Sequence, residues 1–229
     1  MPTNPTIQIR YSTEHDAPTL GALNIASFKH QAYWANVFPQ PDPFSVLPLK
    51  HARALEKLTA PDTHVLSAVD LETDQDEVVG WARWTFPGDE NGTVDVSPQA
   101  KRKIEEARGM LPEGANRRIY ELFFETLKVK RGVWLGEGDL MLDFLATHPS
   151  SQGKGIGTKL LKWGMEYADE RDARIYLEAT MDGYPLYVKH GWRQVEELVL
   201  DFVPYGGHGT ATYSLMIRDR KSERETTSV

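Results

Sequence analysis

Apolar and polar residues follow two periods along this chain, and each period predicts a type of element. Alternation with β-branched residues predicts strands, whereas apolar residues spaced three and four positions apart predict helices. The predicted strands span residues 6–11, 64–70, 77–86, 139–147, 174–179, 192–203 and 211–217. The predicted helices run from Thr13 to about Phe28, over 49–58, over 155–171 and over 184–189.

Two segments break this pattern. Residues 31–48 combine four prolines with four aromatic side chains, and proline at that density predicts a loop without regular structure. Residues 88–136 interrupt the strand series between the third and fourth strands. Within this insertion, Ser97-Pro98 is typical of a helix start, and the apolar spacing from Ile119 to Leu127 predicts a second helix.

The order of the elements predicts one α/β domain over residues 1–229. We expect a mixed sheet of about seven strands, flanked by helices on both faces, with the helical insertion 88–136 between strands three and four. The strand–helix–strand unit 139–179 predicts a right-handed parallel crossover. Residues 219–229 are charged and polar and predict a frayed, flexible tail.

Composition narrows the classes of function. The sequence has no cysteine, which excludes disulfides, thiolate metal sites and a cysteine nucleophile. A net charge of −7 argues against nucleic-acid binding; it could favour a cationic amine substrate, although solubility alone also accounts for it. No apolar run reaches the roughly 18 residues of a membrane span, and residues 1–10 do not resemble a signal peptide. We therefore expect a cytoplasmic protein that does not bind membranes.

A glycine-rich loop, Gln152-Gly153-Lys154-Gly155-Ile156-Gly157, follows the predicted strand 139–147 and opens the next helix. Glycines let the backbone approach a bulky anion, and a helix N-terminus offers free N–H groups and a positive dipole end. The spacing fits neither the Walker motif nor the dinucleotide fingerprint. On these residues alone, a phosphate site and a glycine turn without a ligand are both open.

Two motifs in order resemble those of one family. Gln152-x-x-Gly155-x-Gly157 matches the R/Q-x-x-G-x-G/A signature of GNAT acyltransferases, and it follows the strand end Leu145 to Pro149 as it does there. The segment Leu186 to Trp192 resembles the family's LYxKxGF segment. The resemblance is sharp over residues 139–203. It rests on element order alone for most of the remaining chain and does not extend to the insertion.

The resemblance implies a coenzyme A site. In the family the loop amides bind the pyrophosphate, and the strand end pairs with the pantetheine arm. The residues assigned to the cofactor in this way are Leu145, Ala146, Thr147, Gln152, Gly153, Lys154, Gly155, Ile156, Gly157 and Thr158. Lys154 either adds charge at the phosphates or is a solvated surface lysine. Thr180, also assigned to the cofactor, stands where family members often carry an asparagine that contacts it, and a threonine offers a hydroxyl there in place of an amide.

The resemblance also gives Tyr187 a role. A hydrogen-bond donor at sulfur would help the thiolate to leave, and Tyr187 is the candidate; the alternative is an aromatic residue packed on the sheet. An amine must lose its proton before it attacks, and a carboxylate base would serve. Asp143 is the first candidate, with Glu121 and Glu125 as alternatives. Each of these acids could instead have a structural or solvated role.

Together these features predict an N-acetyltransferase that uses acetyl-CoA and no metal, and that acts by direct transfer in a ternary complex. The acceptor would be a small-molecule amine or a peptide amine, and the protein a monomer or homodimer. Segments 31–48 and 88–136 are expected to form opposite walls of the acceptor pocket. The candidate lining residues, for which core packing is the alternative, are Trp34, Phe38, Trp84, Tyr120 and Phe124. The competing function is a non-catalytic acyl-CoA-binding or regulatory module.

Overall fold

The strands form where apolar and polar residues alternate, and they assemble into one sheet. The computed structural model describes residues 6–73 and 76–227. Its strands are β1 (Ile7–Tyr11), β2 (Thr63–Asp70), β3 (Glu77–Thr85), β4 (Leu140–Thr147), β5 (Ile175–Thr180), β6 (Arg193–Asp201) and β7 (Thr210–Arg218). Their order in the sheet is β1-β2-β3-β4-β5-β7-β6. Among the described strands, β4 and β5 alone pair in parallel, which confirms the predicted mixed α/β sheet.

Helices cover both faces of this sheet. They are α1 (Ala17–Phe28), α2 (Ala32–Val37), α3 (Leu47–Leu58), α4 (Pro98–Ala107), α5 (Arg117–Trp134), α6 (Ile156–Glu170), α7 (Tyr184–Lys189) and α8 (Lys221–Thr227). Helices α6 and α7 pack on one face. Helices α1, α2, α3 and α5 pack on the other, in two further apolar clusters. Both predicted helices of the insertion form, as α4 and α5, and the Ser97 hydroxyl caps α4 by accepting from the amide of Ala100 at 3.2 Å.

Two predictions about irregular segments differ from the structure. The prediction of no regular structure over 31–48 is wrong, because α2 forms at Ala32–Val37 and a 3₁₀ turn forms at Pro43–Val46. The prolines begin only at Pro39, so they leave residues 32–37 free to form a helix that buries apolar side chains in the core.

The second difference concerns the segment predicted as a flexible tail. Residues 221–227 form α8, which is held to the end of α6 and the turn after it. The amide of Ser222 donates to Asp172 at 2.9 Å, and Arg224 pairs with Asp169 at 2.5 Å. Residues 228–229 lie outside the described residues, as do residues 74–75, between the predicted strands 64–70 and 77–86.

The length and hydropathy of the helices decide whether any of them could cross a membrane. Across residues 6–73 and 76–227, no helix combines the length and the apolar character needed to cross a bilayer.

Candidate active site

Strands β4 and β5 separate toward their C-terminal ends. They pair at only three positions, from Leu140 with Ile175 to Leu142 with Leu177. Beyond this point β4 keeps its pairing with β3, but within the described residues it has no further partner on β5. Residues 143–147 therefore form an open strand edge, and an extended ligand can bond to such an edge as an added strand does.

The three residues predicted to contact pantetheine, Leu145, Ala146 and Thr147, all lie on this edge. The Thr147 carbonyl accepts hydrogen bonds from the Ser27 hydroxyl at 3.2 Å and from the Gln152 side-chain amide at 3.4 Å. These bonds tie the end of β4 to α1 and to the first residue of the glycine loop. They fix the direction in which the loop leaves the sheet.

A β-bulge lies where the open edge begins. Arg83 is opposite Phe144 and Trp84 is opposite Leu142, so Asp143 has no partner in the ladder. A bulge redirects a side chain relative to the regular alternation. Asp143 contacts Arg83, and Phe144 packs into the cluster formed with α1 and α3. The bulge thus places a carboxylate on the face opposite α6.

Residues 152–155 of the glycine loop are exposed and are flanked by two buried residues, Ser151 and Ile156. Gly153 and Gly155 both have φ of 78°, a conformation that residues with a side chain rarely adopt. No atom lies within 4 Å of the place where a Cβ would stand at either position. The loop therefore leaves open space directly above its backbone.

The first turn of α6 offers backbone N–H groups to this space. The amide of Lys159 bonds to the Gly155 carbonyl at 3.1 Å, whereas the amides of residues 156–158 have no backbone partner in the described chain. The turn contains no acidic residue, and Lys154 is exposed beside it. Free amides, the positive helix end and a lysine together suit a phosphate or pyrophosphate group.

Tyr187 lies on the same face of the sheet as α6. Its side chain is 8% exposed, stands edge-on to Trp192 with ring centres 6.0 Å apart, and shares an apolar cluster with Leu145 and Ile156. Burial raises the pKa of Tyr187 well above its usual value. The hydroxyl is therefore protonated at neutral pH and can donate a hydrogen bond. The structure brings Tyr187 together with the strand end and the start of α6.

Thr180, the predicted substitute for the family asparagine, ends β5. Its hydroxyl accepts from the amide of Gly183 at 3.3 Å, and its carbonyl accepts from the same amide at 3.1 Å. These bonds close the turn that leads into α7 and so help to position Tyr187. The predicted contact between Thr180 and the cofactor stays a prediction.

Asp143 belongs to a network of charged side chains. One oxygen contacts the Arg83 guanidinium, and the other lies 3.3 Å from Nη2 of Arg131. Burial raises the pKa of Asp143, but Arg83 and Arg131 outweigh it and hold the pKa below its usual value. Asp143 is therefore ionised at neutral pH and is a weak base. Its predicted role as the general base stays a prediction.

The two alternative bases lie on the outer side of α5. Glu121 is 3.6 Å from Arg117 and has a half-exposed side chain, and Glu125 is exposed. Leu127 and Arg131, on the same helix, face the sheet instead. Asp143 therefore lies close to the end of β4, whereas Glu121 and Glu125 do not.

Four of the five candidate acceptor residues lie on the face opposite α6. Trp34 in α2 and Phe38, which directly follows α2, are buried with ring centres 5.0 Å apart. Tyr120 and Phe124 lie on α5 with ring centres 4.7 Å apart, and Phe124 is 47% exposed. Trp84 is separate, because it is fully buried on the other face, directly against the backbone of α6.

The two predicted walls meet. Tyr33 of α2 and Phe123 of α5 have ring centres 4.3 Å apart, so segments 31–48 and 88–136 are in direct contact at this point. The predicted position of the walls on opposite sides of a pocket stays a prediction.

Sequence reasoning missed several charged residues near the open edge. They are Lys50, Arg83, Arg131 and Glu178. A signal was present for Arg83 and Glu178, since each interrupts an apolar strand, and a charged residue in a buried strand needs a partner. A signal was also present for Arg131, which lies four positions after Leu127 in line with the apolar stripe of α5. For Lys50 the helical pattern shows only a polar face.

Sequence comparison relates the chain to known acetyltransferases. The model of the acetyltransferase (GNAT) family matches residues 30–192. An acetyltransferase of Stachybotrys chartarum is 23% identical over 203 residues, which cover 86% of this chain and 85% of that protein.

Two solved structures share the fold. The histone acetyltransferase HPA2 and related acetyltransferase from Corynebacterium glutamicum has a TM-score of 0.57 at 22% identity, covering 93% of this chain and 96% of that one. The PaiA N-acetyltransferase from Thermoplasma acidophilum, solved in complex with coenzyme A, has a TM-score of 0.51 at 15% identity, covering 93% and 99%. With its family match spanning most of the sequence, the chain belongs to the GNAT acetyltransferase family.

Proposed function

We propose that the protein transfers an acetyl group from acetyl-CoA to an amine in a single step, within a ternary complex. The observation that carries this proposal is the grouping of three features at one end of β4. They are the open edge at residues 143–147, the glycine loop at the start of α6, and the buried hydroxyl-bearing ring of Tyr187. Direct transfer is supported by the sequence, which has no cysteine to carry an acyl group.

The donor would be held by backbone groups. The amides of residues 156–158 would bind its pyrophosphate, with Lys154 as a nearby point charge. The open edge of β4 would pair with the amides of the pantetheine arm. The exposed glycine backbone fits this assignment, since a Cβ at Gly153 or Gly155 would intrude into the space above the loop.

The reaction needs one bond made and one broken. The amine nitrogen attacks the thioester carbon, a C–N bond forms, and the C–S bond breaks to release a thiolate. Tyr187 would donate a hydrogen bond to the sulfur. Because burial raises its pKa above the usual value near 10, full proton transfer to a thiol of pKa about 8.5 costs about 2 kcal/mol or more. Hydrogen-bond donation is therefore the favoured form of help.

The acceptor must also lose a proton. An alkylamine of pKa about 10.4 is almost wholly protonated at neutral pH, and Asp143 is our candidate to receive the proton. Its pKa lies below the usual value, so it would be a weak base. We therefore expect the rate at which simple amines are acetylated to rise with pH.

Thiol release tests the proposal. Acetyl-CoA would be mixed with a panel of alkylamines, arylalkylamines, amino acids and peptides, and free thiol and acetylated product would be measured together. Equal amounts of thiol and acetylamine are expected with at least one acceptor class. Binding of acetyl-CoA without turnover on any amine would contradict catalysis.

One observation favours the second candidate, a non-catalytic acyl-CoA-binding module. The Thr180 hydroxyl is engaged with the amide of Gly183 and offers no side-chain amide to a cofactor. Thiol release, measured together with thermal stability, distinguishes the two functions. A binding module would be thermally stabilised by acetyl-CoA and would release no thiol above the rate of hydrolysis.

A further inference from the structure

Lys50 is a cation without an acidic partner. It lies on α3 and is only partly exposed. Its Nζ is 4.7 Å from the ring centre of Trp34 and 5.2 Å from that of Phe38. Among the described residues, no carboxylate pairs with Lys50 and no group hydrogen-bonds to its Nζ. Two aromatic rings attract an ammonium ion only weakly compared with a carboxylate.

The surroundings of Lys50 are rich in positive charge. The cations in this region are Lys50, Arg53, Lys57, Arg83 and Arg131, and the carboxylates are Glu56, Asp143 and Glu178. Arg53 pairs with Glu56, Arg83 with Asp143, and Arg131 with Asp143 and Glu178. Five cations therefore share three carboxylates.

Burial and the neighbouring positive charges both disfavour the charged form of Lys50. Burial first, and then the charges of Arg53 and Arg83, lower the pKa of Lys50 to about 8. A desolvated cation without a counter-ion is costly to keep, and an anion beside Lys50 would remove part of that cost.

Lys50 lies on the opposite face of the sheet from the proposed pyrophosphate site. Lys50 lies near Arg83, which binds Asp143 at the bulge where the open edge of β4 begins. This network is on the face that carries α3 and α5, whereas the glycine loop opens α6 on the opposite face. The rings beneath Lys50, Trp34 and Phe38, are two of the predicted acceptor contacts.

We propose that Lys50 binds a carboxylate on the acceptor, so that the acceptor class is an amine that also carries a carboxylate group. This inference rests on the proposed function. The guanidinium groups of Arg53 and Arg83 are already bound to carboxylates of the chain, which leaves the ammonium groups of Lys50 and Lys57 without an ion-pair partner among the described residues. Of these two, Lys50 is the one that lies beside the rings of Trp34 and Phe38. One compact ammonium suits a singly charged group better than a phosphate, which needs several donors.

The kinetic test uses pairs of acceptors that differ only in the carboxylate. An amino acid and its amide would be compared, at equal concentrations of free amine, with the wild-type protein, Lys50→Met and Lys29→Met. Lys29 is the control because its Nζ is also near an aromatic ring, 5.7 Å from that of Phe44, but it is exposed.

We expect Lys50→Met to raise the KM of the amino acid at least tenfold, with a small change in kcat. The KM of the amide should stay within twofold, and Lys29→Met should change neither. An equal effect of Lys50→Met on both acceptors, or no effect on either, would overturn the inference.

A binding test keeps the inference separate from catalysis. Simple carboxylates without an amine would be titrated into the wild-type protein and Lys50→Met by calorimetry, with acetyl-CoA present. Binding to the wild-type protein and its loss in Lys50→Met would support the inference even if no amine were acetylated. No binding, or binding of a matched phosphonate in place of the carboxylate, would contradict it.

The pH dependence gives a further readout. Only protonated Lys50 attracts a carboxylate, and the charged groups that face it are Arg53 and Arg83. Carboxylate affinity should therefore fall as the pH rises through about 8. The fall should be absent in Lys50→Met, and a pH-independent affinity in the wild-type protein would count against the inference.

Discussion

Arg131 in α5 and Glu178 in β5 form a two-point ion pair, with Nε 2.7 Å from Oε1 and Nη2 2.6 Å from Oε2. Glu178 is the first β5 residue beyond the last one that pairs with β4, and the same guanidinium reaches Asp143, the first β4 residue beyond its last pair. One arginine of the insertion thus joins the two strands at the point where they separate. The insertion therefore stabilises the opening on which the proposed donor site depends.

Removal of this arginine should destabilise the protein. We expect Arg131→Met to lower the free energy of unfolding by about 2–3 kcal/mol at pH 7, because two largely buried carboxylates lose their shared counter-ion. Urea denaturation measures this change. Arg117→Met is the matched control on the same helix, since its pair with Glu121 is 3.6 Å long and more than half exposed. A control effect below about 0.5 kcal/mol is expected, and equal effects of the two variants would contradict this account.

The charge of Asp143 should make stability depend on pH. Arg83 and Arg131 hold the folded-state pKa of Asp143 below its usual value, despite burial. Its contribution is therefore fully present above the unfolded pKa of about 3.9 and is lost as the pH falls through the folded pKa. The stability difference between the wild-type protein and Asp143→Asn should be largest near pH 7 and should shrink below about pH 4. Urea denaturation at a series of pH values measures it.

The same variant tests Asp143 as the base. If Asp143 accepts the amine proton, kcat/KM of Asp143→Asn should fall about a hundredfold at a temperature where the variant is folded. Asp95→Asn is the control, since Asp95 pairs with Lys101 at the surface and should leave both activity and stability unchanged. Wild-type kcat/KM in folded Asp143→Asn would remove Asp143 from the reaction.

The glycine loop gives a prediction about donor affinity. Gly155→Ala places a side chain at a φ of 78° and into the open space above the loop. We expect a dissociation constant for acetyl-CoA at least tenfold higher, together with a loss of about 1 kcal/mol in stability from strain. Gly88→Ala is a matched control, because Gly88 has φ of 79° and equally open space but lies outside the loop.

The two glycine variants separate strain from binding. Gly88→Ala should lose similar stability and keep the wild-type affinity for acetyl-CoA, as measured by calorimetry. If both variants lose affinity equally, the effect comes from general destabilisation, and the loop is not the phosphate site.

Local patterns were enough to predict most elements of the fold. The strand predicted at 64–70 forms at Thr63–Asp70, and the helix predicted at 155–171 forms at Ile156–Glu170, because alternation and helical spacing reflect which side chains are buried. Helix α2 was not predicted, because the segment 31–48 that contains it also contains four prolines. A proline affects mainly its own position and the residue before it, so residues 32–37 kept their helical tendency.

Only the part of the candidate site that is continuous in sequence could be predicted. The glycine loop is continuous in sequence, and its conformation follows from its own residues. The charged network is not local, because Arg83 meets Asp143 and Arg131 meets Glu178 across 60 and 47 positions. These pairings depend on how α5 lies on the sheet. Helical spacing places Arg131 in line with Ile119, Phe123 and Leu127, but it does not show which carboxylate on the sheet Arg131 meets.

Tyr187 is the residue proposed to donate a hydrogen bond to the leaving sulfur. Tyr187→Phe removes the proposed donor at the leaving sulfur and keeps the ring that packs against Trp192. We expect kcat to fall roughly a hundredfold, whereas the KM for acetyl-CoA should change less than about twofold, because the bond forms as the thiolate develops. Steady-state thiol release measures both constants.

The pH profile separates hydrogen-bond donation from an indirect effect. Because burial raises the pKa of Tyr187, the hydroxyl keeps its proton up to at least about pH 9.5, and the ratio of wild-type to Tyr187→Phe kcat should be constant from pH 7 to about 9.5. Tyr213→Phe is the control, since Tyr213 is similarly buried and its pKa is also raised by burial. It should retain wild-type kcat. A ratio that falls toward one as the pH rises would mean that Tyr187 ionises in this range, and wild-type kcat in Tyr187→Phe would exclude it as the donor.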